Sequence, residues 1–153
     1  MPTRKAITES FHVILYDMSE VKESIKRAEL PSNSYIIIGG ASLVLRGIKR
    51  TTADVDVLVP DALFKSLLDR PHATSRGALI ELEIEPFELP TVQAIPGYKE
   101  PVPVFYDDLQ DRVEQVNDCP CAPLSIVRAS KEALHRHKDL EDIASIEHFG
   151  LCL

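Results

Sequence analysis

From Ile7 through Phe11, Ile14, Leu15, Met18, Val21 and Ile25 to Ala28, apolar residues recur at three- and four-residue steps. That period predicts an amphipathic helical segment over 5–30, broken near Asp17 to Glu20, where Ser19 could cap the second piece. The turn cluster Leu30-Pro31-Ser32-Asn33-Ser34 ends it. Ile36-Ile37-Ile38 is a β-branched run suited to a strand buried on both faces, and Gly39-Gly40 breaks it before Ala41 to Leu45 starts a short helix. A second strand is predicted over Val55 to Val59, with Asp54 and Asp56 at or beside its start. Residues two apart in a strand share a side, so the two carboxylates point one way and Val55, Val57 and Val59 the other.

Further along, Pro60-Asp61 opens a helix that Pro71 stops, and 72–77 reads as loop. Ala78 to Pro86 alternates: Ile80, Leu82 and Ile84 share one face, and Glu81, Glu83 and Glu85 the other, the pattern of a strand with one wet side. Five prolines between Pro86 and Pro103 predict an irregular connector with short edge strands rather than a central one. A strand is expected over 102–105 and a helix over 106–116. Leu124 to Phe149 is helical, with a bend near His137. The sum is one α+β domain over 1–153: an N-terminal helical segment, a mixed β-sheet core over 35–105 flanked by helices, and C-terminal helices over 106–149.

Composition changes this picture little. Apolar residues at 44% and charged residues at 27% are ordinary for a globular chain. A net charge of −7 argues against a broad nucleic-acid surface but leaves room for a single nucleotide. No apolar run is long enough to span a bilayer, and MPTRKAITES has no leader-like pattern, so a cytoplasmic protein is expected. Cys119, Cys121 and Cys152 do not make a disulfide framework, and Cys119-Pro120-Cys121 has the wrong spacing for a zinc knuckle. His135 and His137, two apart on a helix, do not face each other.

The candidate chemistry lies in 35–59. Paired carboxylates repel, so they are tolerated in water or used around a cation. Mg²⁺ takes one or two carboxylates plus substrate phosphates, and a glycine turn entering a helix offers backbone N–H groups to those phosphates. The glycines lack the G-x-G-x-x-G spacing of a dinucleotide-binding unit.

An apolar strand, Gly39-Gly40, the small residue Ser42 and then Asp54-Val55-Asp56-Val57 resembles the signature of the DNA polymerase β-type nucleotidyltransferase superfamily. Among its members the chain is most similar to the small stand-alone ones, the minimal nucleotidyltransferases and the AbiEii-like toxin group. Arg50-Thr51-Thr52-Ala53-Asp54-Val55-Asp56 fits their Arg-x-Thr-x-Asp-x-Asp stretch. Lys131, Arg136 and Lys138-Asp139-Leu140-Glu141-Asp142-Ile143 follow the order of their C-terminal basic and acidic residues.

The resemblance implies a nucleotidyltransferase fold and transfer of a nucleoside monophosphate from a nucleoside triphosphate to an acceptor hydroxyl. Asp54 and Asp56 would bind Mg²⁺ or Mn²⁺. A third carboxylate on a neighbouring strand would be Glu83 first, then Glu81, with Glu85 the remaining choice. Gly39, Gly40, Ser42, Arg50, Lys131, Arg136 and Lys138 would contact the nucleotide. The C-terminal charges could equally form a solvated face with pairs such as Lys138 to Asp142. The acceptor is open, a small molecule or protein being favoured over a long nucleic acid, and a homodimer or a partner protein is conceivable. The other reading is a catalytically inactive nucleotidyltransferase fold serving as a nucleotide-binding or protein-interaction module.

Overall fold

The computed structural model describes residues 6–7, 14–85, 88–99 and 103–151. Its first elements depart from the predicted N-terminal helix: β1 (Ala6–Ile7) pairs antiparallel with β2 (Ile14–Leu15), and helix begins only at α1 (Met18–Ala28). Two local forces explain the difference. Tyr16 exchanges backbone hydrogen bonds with Thr52, at 2.8 and 2.9 Å, which holds the chain extended up to that point. Asp17, not Ser19, then caps α1: its carboxylate accepts from the Glu20 N–H at 3.0 Å, while the Glu20 carboxylate accepts from the Asp17 N–H at 3.1 Å. A reciprocal cap of this kind contributes about 1 kcal/mol and marks a helix start more sharply than apolar spacing can.

β3 (Ile36–Ile38) runs directly into α2 (Gly39–Leu45), and β4 (Val55–Leu58) and α3 (Asp61–Leu67) follow as expected. The presumed loop at 72–77 contains β5 (Ala73–Arg76), which pairs residue by residue with β6 (Leu79–Leu82). The proline-rich connector holds β7 (Val92–Ile95), a central strand between β4 and β6. Pro90 and Pro96 bracket these four residues without entering them, so every N–H within the strand stays available for pairing. The residues at 86–87 and 100–102 lie outside the described chain.

β8 (Gly97–Tyr98) and β9 (Val104–Phe105) form a small hairpin. The helix predicted over 106–116 is only α4 (Tyr106–Leu109); β10 (Glu114–Val116) and β11 (Cys119–Cys121) follow as a second hairpin. Its turn residues Asn117 and Asp118 have φ of 51° and 64°, the left-handed geometry of a tight hairpin. α5 (Leu124–Leu134) and α6 (His137–Leu151) complete the chain, separated where His135 takes φ of 52°.

Seven strands make one mixed sheet in the order β10-β11-β3-β4-β7-β6-β5, with β4 parallel to β7 and antiparallel to β3. Strand alternation sorts its two faces. Ile37, Val55 and Val57 pack with Val21 and Ile25 of α1, Val44 of α2 and Leu67 of α3. Ile36, Ile38 and Leu58 pack with Val127 of α5 and Ile146 of α6. Asp54 and Asp56 share the parity of Leu58, so they open toward the face covered by the C-terminal helices. No helix among the described residues is long and apolar enough to cross a membrane.

Candidate active site

The glycine bend and the acidic pair meet. Leaving β3, Gly39 adopts φ of +65°, where a Cβ would be strained and would sit 3.3 Å from Asp56 Oδ2. At Gly40 a Cβ would come within 2.8 Å of Thr52 Oγ1. Ser42 holds the bend from inside: it is fully buried, and its hydroxyl donates to the Gly39 carbonyl at 2.6 Å. It therefore supports the turn rather than presenting its hydroxyl to a ligand. Gly39→Ala is expected to cost about 1–2 kcal/mol in urea unfolding, the penalty for forcing an L side chain into left-handed backbone, and to shift the Asp56 carboxylate.

Burial is the main force on the acids. It pushes Asp56 up to about 7, Asp54 raises it further, and Lys138, Lys131 and Arg136 pull it back. Asp54 is also raised, first by burial; Lys138 opposes this, Glu81 adds to it and Lys49 opposes it. A pair this reluctant to ionise alone is poised to be ionised by a cation.

The third-acid candidates separate cleanly. Across the sheet, Asp56 is opposite Gln93 on β7, and Gln93 is opposite Glu81 on β6. Gln93 Nε2 donates to Glu81 Oε2 at 3.3 Å, and Arg76 Nε lies 3.2 Å from Glu81 Oε1. Glu83 follows the last residue of β6, is exposed, and lines another cleft with Arg27, Arg70 and His72. Glu85 pairs with His72 at 2.8 Å. The row across the strands, invisible in a single-strand alternation, thus brings Glu81 and not Glu83 toward the Asp pair. Glu81 remains one strand away, and among the described residues no three His, Cys, Asp or Glu side chains gather closely enough to hold one ion.

Opposite the sheet, the basic residues are anchored by acids. Lys131 is buried with its ammonium 2.7 Å from Asp142 Oδ2 and 3.7 Å from Asp139 Oδ1. Lys49 joins the other oxygen of Asp142 at 3.1 Å, in place of the pairing expected from Lys138. Arg136 donates to Asp139 through Nε at 2.6 Å, through a terminal nitrogen at 3.2 Å and through its backbone N–H at 3.0 Å. Burial alone would raise Asp139, but these Arg136 bonds hold it below the usual carboxylate range. Lys138 is exposed beside the Asp pair, and Arg50 is exposed on the loop between α2 and β4.

A cleft of about 340 Å³ joins the two sides, with Gly39, Asp56 and Gln93 on the sheet and Lys131 and Arg136 on the helical side. Lys49, Gln93 and the anchoring role of Asp139 and Asp142 had escaped the sequence reading. The Asp139 to Asp142 spacing on one helix face was the available signal, since i and i+3 side chains adjoin.

Residues 12–149 match the model of a family described as "Nucleotidyltransferase of unknown function (DUF6036)". The chain belongs to this nucleotidyltransferase family. No curated protein and no solved structure matches it. For a nucleotidyltransferase the donor set has the right chemistry: two hard carboxylates with raised proton affinity, beside a bend where Gly39 leaves open space. Two carboxylates suit Mg²⁺ or Mn²⁺ when substrate phosphates complete the coordination.

Proposed function

We propose that the protein transfers a nucleoside monophosphate from a nucleoside triphosphate to an acceptor hydroxyl, releasing pyrophosphate. The observation that carries this reading is the approach of the Gly39 bend to the Asp56 carboxylate, 3.3 Å from where a Cβ would stand, across a cleft from Lys131 and Arg136. Asp54 and Asp56 hold the divalent cation. When bound, Mg²⁺ or Mn²⁺ stabilises the charge on the attacking and leaving oxygens of the displacement at the α-phosphorus.

The chain's own groups do the rest. Gly39 and Gly40 let the phosphates approach the backbone. Lys138 and Arg136 neutralise phosphate charge, while buried Lys131 braces Asp139 and Asp142, which orient Arg136. Glu81, oriented by Gln93 and Arg76, is the carboxylate best placed to take the acceptor's proton. The net charge of −7 favours a small-molecule or protein acceptor.

Gln93 standing between Asp56 and Glu81 supports a second reading, a nucleotide-binding module without turnover. Incubation with each labelled triphosphate, Mg²⁺ or Mn²⁺ and a panel of hydroxyl acceptors separates the two. Transfer should produce pyrophosphate, and the Asp54→Asn/Asp56→Asn variant should slow it about 10³-fold, as loss of transition-state charge stabilisation does elsewhere. Nucleotide binding with no pyrophosphate from any acceptor would favour the module.

A further inference from the structure

The phosphate-facing groups account for only the rim of the cleft. Its interior is apolar, built from Ile38 and Ile95 on the sheet and Ile126 and Val127 on α5. Ionic groups occur only where it opens, at Asp56, Lys131 and Arg136. An occupant must therefore carry its charge at one end and an uncharged body at the other. The few polar atoms deeper in are neutral: the Gln93 amide and a Tyr98 hydroxyl 3.1 Å from Ser130 Oγ. Each hydroxyl of that pair can donate or accept, so it can adapt to different edges of a flat heterocycle.

We infer that this chamber holds the nucleobase of the triphosphate, packed between the sheet and α5 with the Tyr98–Ser130 hydroxyl pair at its edge. The inference rests on the proposed nucleotide chemistry. A volume of about 340 Å³ lies at the small end of ligand pockets, sufficient for a base and part of its sugar but not for a polymer. Charge complementarity gives the orientation, with phosphates toward Gly39 and Arg136 and the base inward. The adaptable hydroxyl pair makes discrimination among bases weak.

Titration calorimetry in Mg²⁺ tests this by comparing non-hydrolysable triphosphates of all four bases with inorganic tripolyphosphate. For the unaltered protein the nucleotides should bind at least tenfold more tightly than tripolyphosphate and within about tenfold of one another. Ile126→Trp, which narrows the chamber, should reduce nucleotide affinity to the tripolyphosphate level and leave tripolyphosphate binding intact. Tyr98→Ala, at a half-buried position, should remove several-fold of the nucleotide advantage and guards against a folding defect in the first variant; thermal unfolding of both variants identifies such a defect. Equal binding of nucleotide and tripolyphosphate, or an undiminished nucleotide advantage in either folded variant, overturns the base assignment while leaving the phosphate site standing. Failure of tripolyphosphate itself to bind overturns both.

Discussion

Lys131→Met is expected to destabilise the protein by about 3 kcal/mol, measured as a shift in the urea midpoint at pH 7. The ammonium is buried between two buried carboxylates, 2.7 Å from Asp142 and 3.7 Å from Asp139. Removing one member of such a set leaves charge in the interior without its counterpart, which costs far more than losing a surface pair. Lys49 and Arg136 still attend the two acids, which keeps the expected loss at the low end of the usual range. Adding Asp142→Asn should restore part of the stability, because it removes the carboxylate nearest the missing cation. The pH dependence has a definite sign. Asp139 is held below the usual carboxylate range, so its contribution is present above about pH 4 and is lost as pH falls through its lowered value.

The acidic pair has the opposite sign. With its folded value at about 7, Asp56 keeps its proton across a range where the unfolded chain would release it. That contribution is complete below about pH 4 and is lost as pH rises through about 7. Asp56→Asn removes the loss. In the absence of divalent metal the variant should therefore melt higher than the unaltered protein at pH 8, by roughly 5–10 °C for a gain of about 2–4 kcal/mol. At pH 4 the two should melt together. Adding Mg²⁺ and a triphosphate at pH 8 should reverse the order, because only the unaltered protein gains binding energy from the pair. Thermal melts over pH 4–8 with and without these additions check every arm.

This is a stability cost kept at a functional position. Val or Leu at residue 56 would suit a sheet covered by α5 and α6, yet the strand presents two carboxylates to a partly closed space. The central sequence reading rested on that oddity, and it was legible because it is local: strand parity, two glycines and a pair of acids lie within 39–56. What escaped the sequence depends on strand neighbours. Alternation put Glu81 and Glu83 on one face, but only the β4–β7–β6 register distinguishes them. β7 was obscured because proline density was averaged over the segment, although Pro90 and Pro96 stand just outside the strand. The N-terminal helix failed because apolar spacing alone could not compete with the Tyr16–Thr52 pairing and the Asp17 cap. Asp139 and Asp142 looked like members of a solvated face until packing turned them inward onto Lys131.

The most direct test of the account is a Mn²⁺ titration followed by electron paramagnetic resonance, with and without a non-hydrolysable triphosphate. Two carboxylates beside a glycine bend should hold little Mn²⁺ alone and bind it stoichiometrically once phosphates complete the coordination. The Asp54→Asn/Asp56→Asn variant should leave Mn²⁺ no more tightly held than the triphosphate alone holds it. Tight binding that persists in that variant, or no added binding when triphosphate and unaltered protein are combined, would contradict the account.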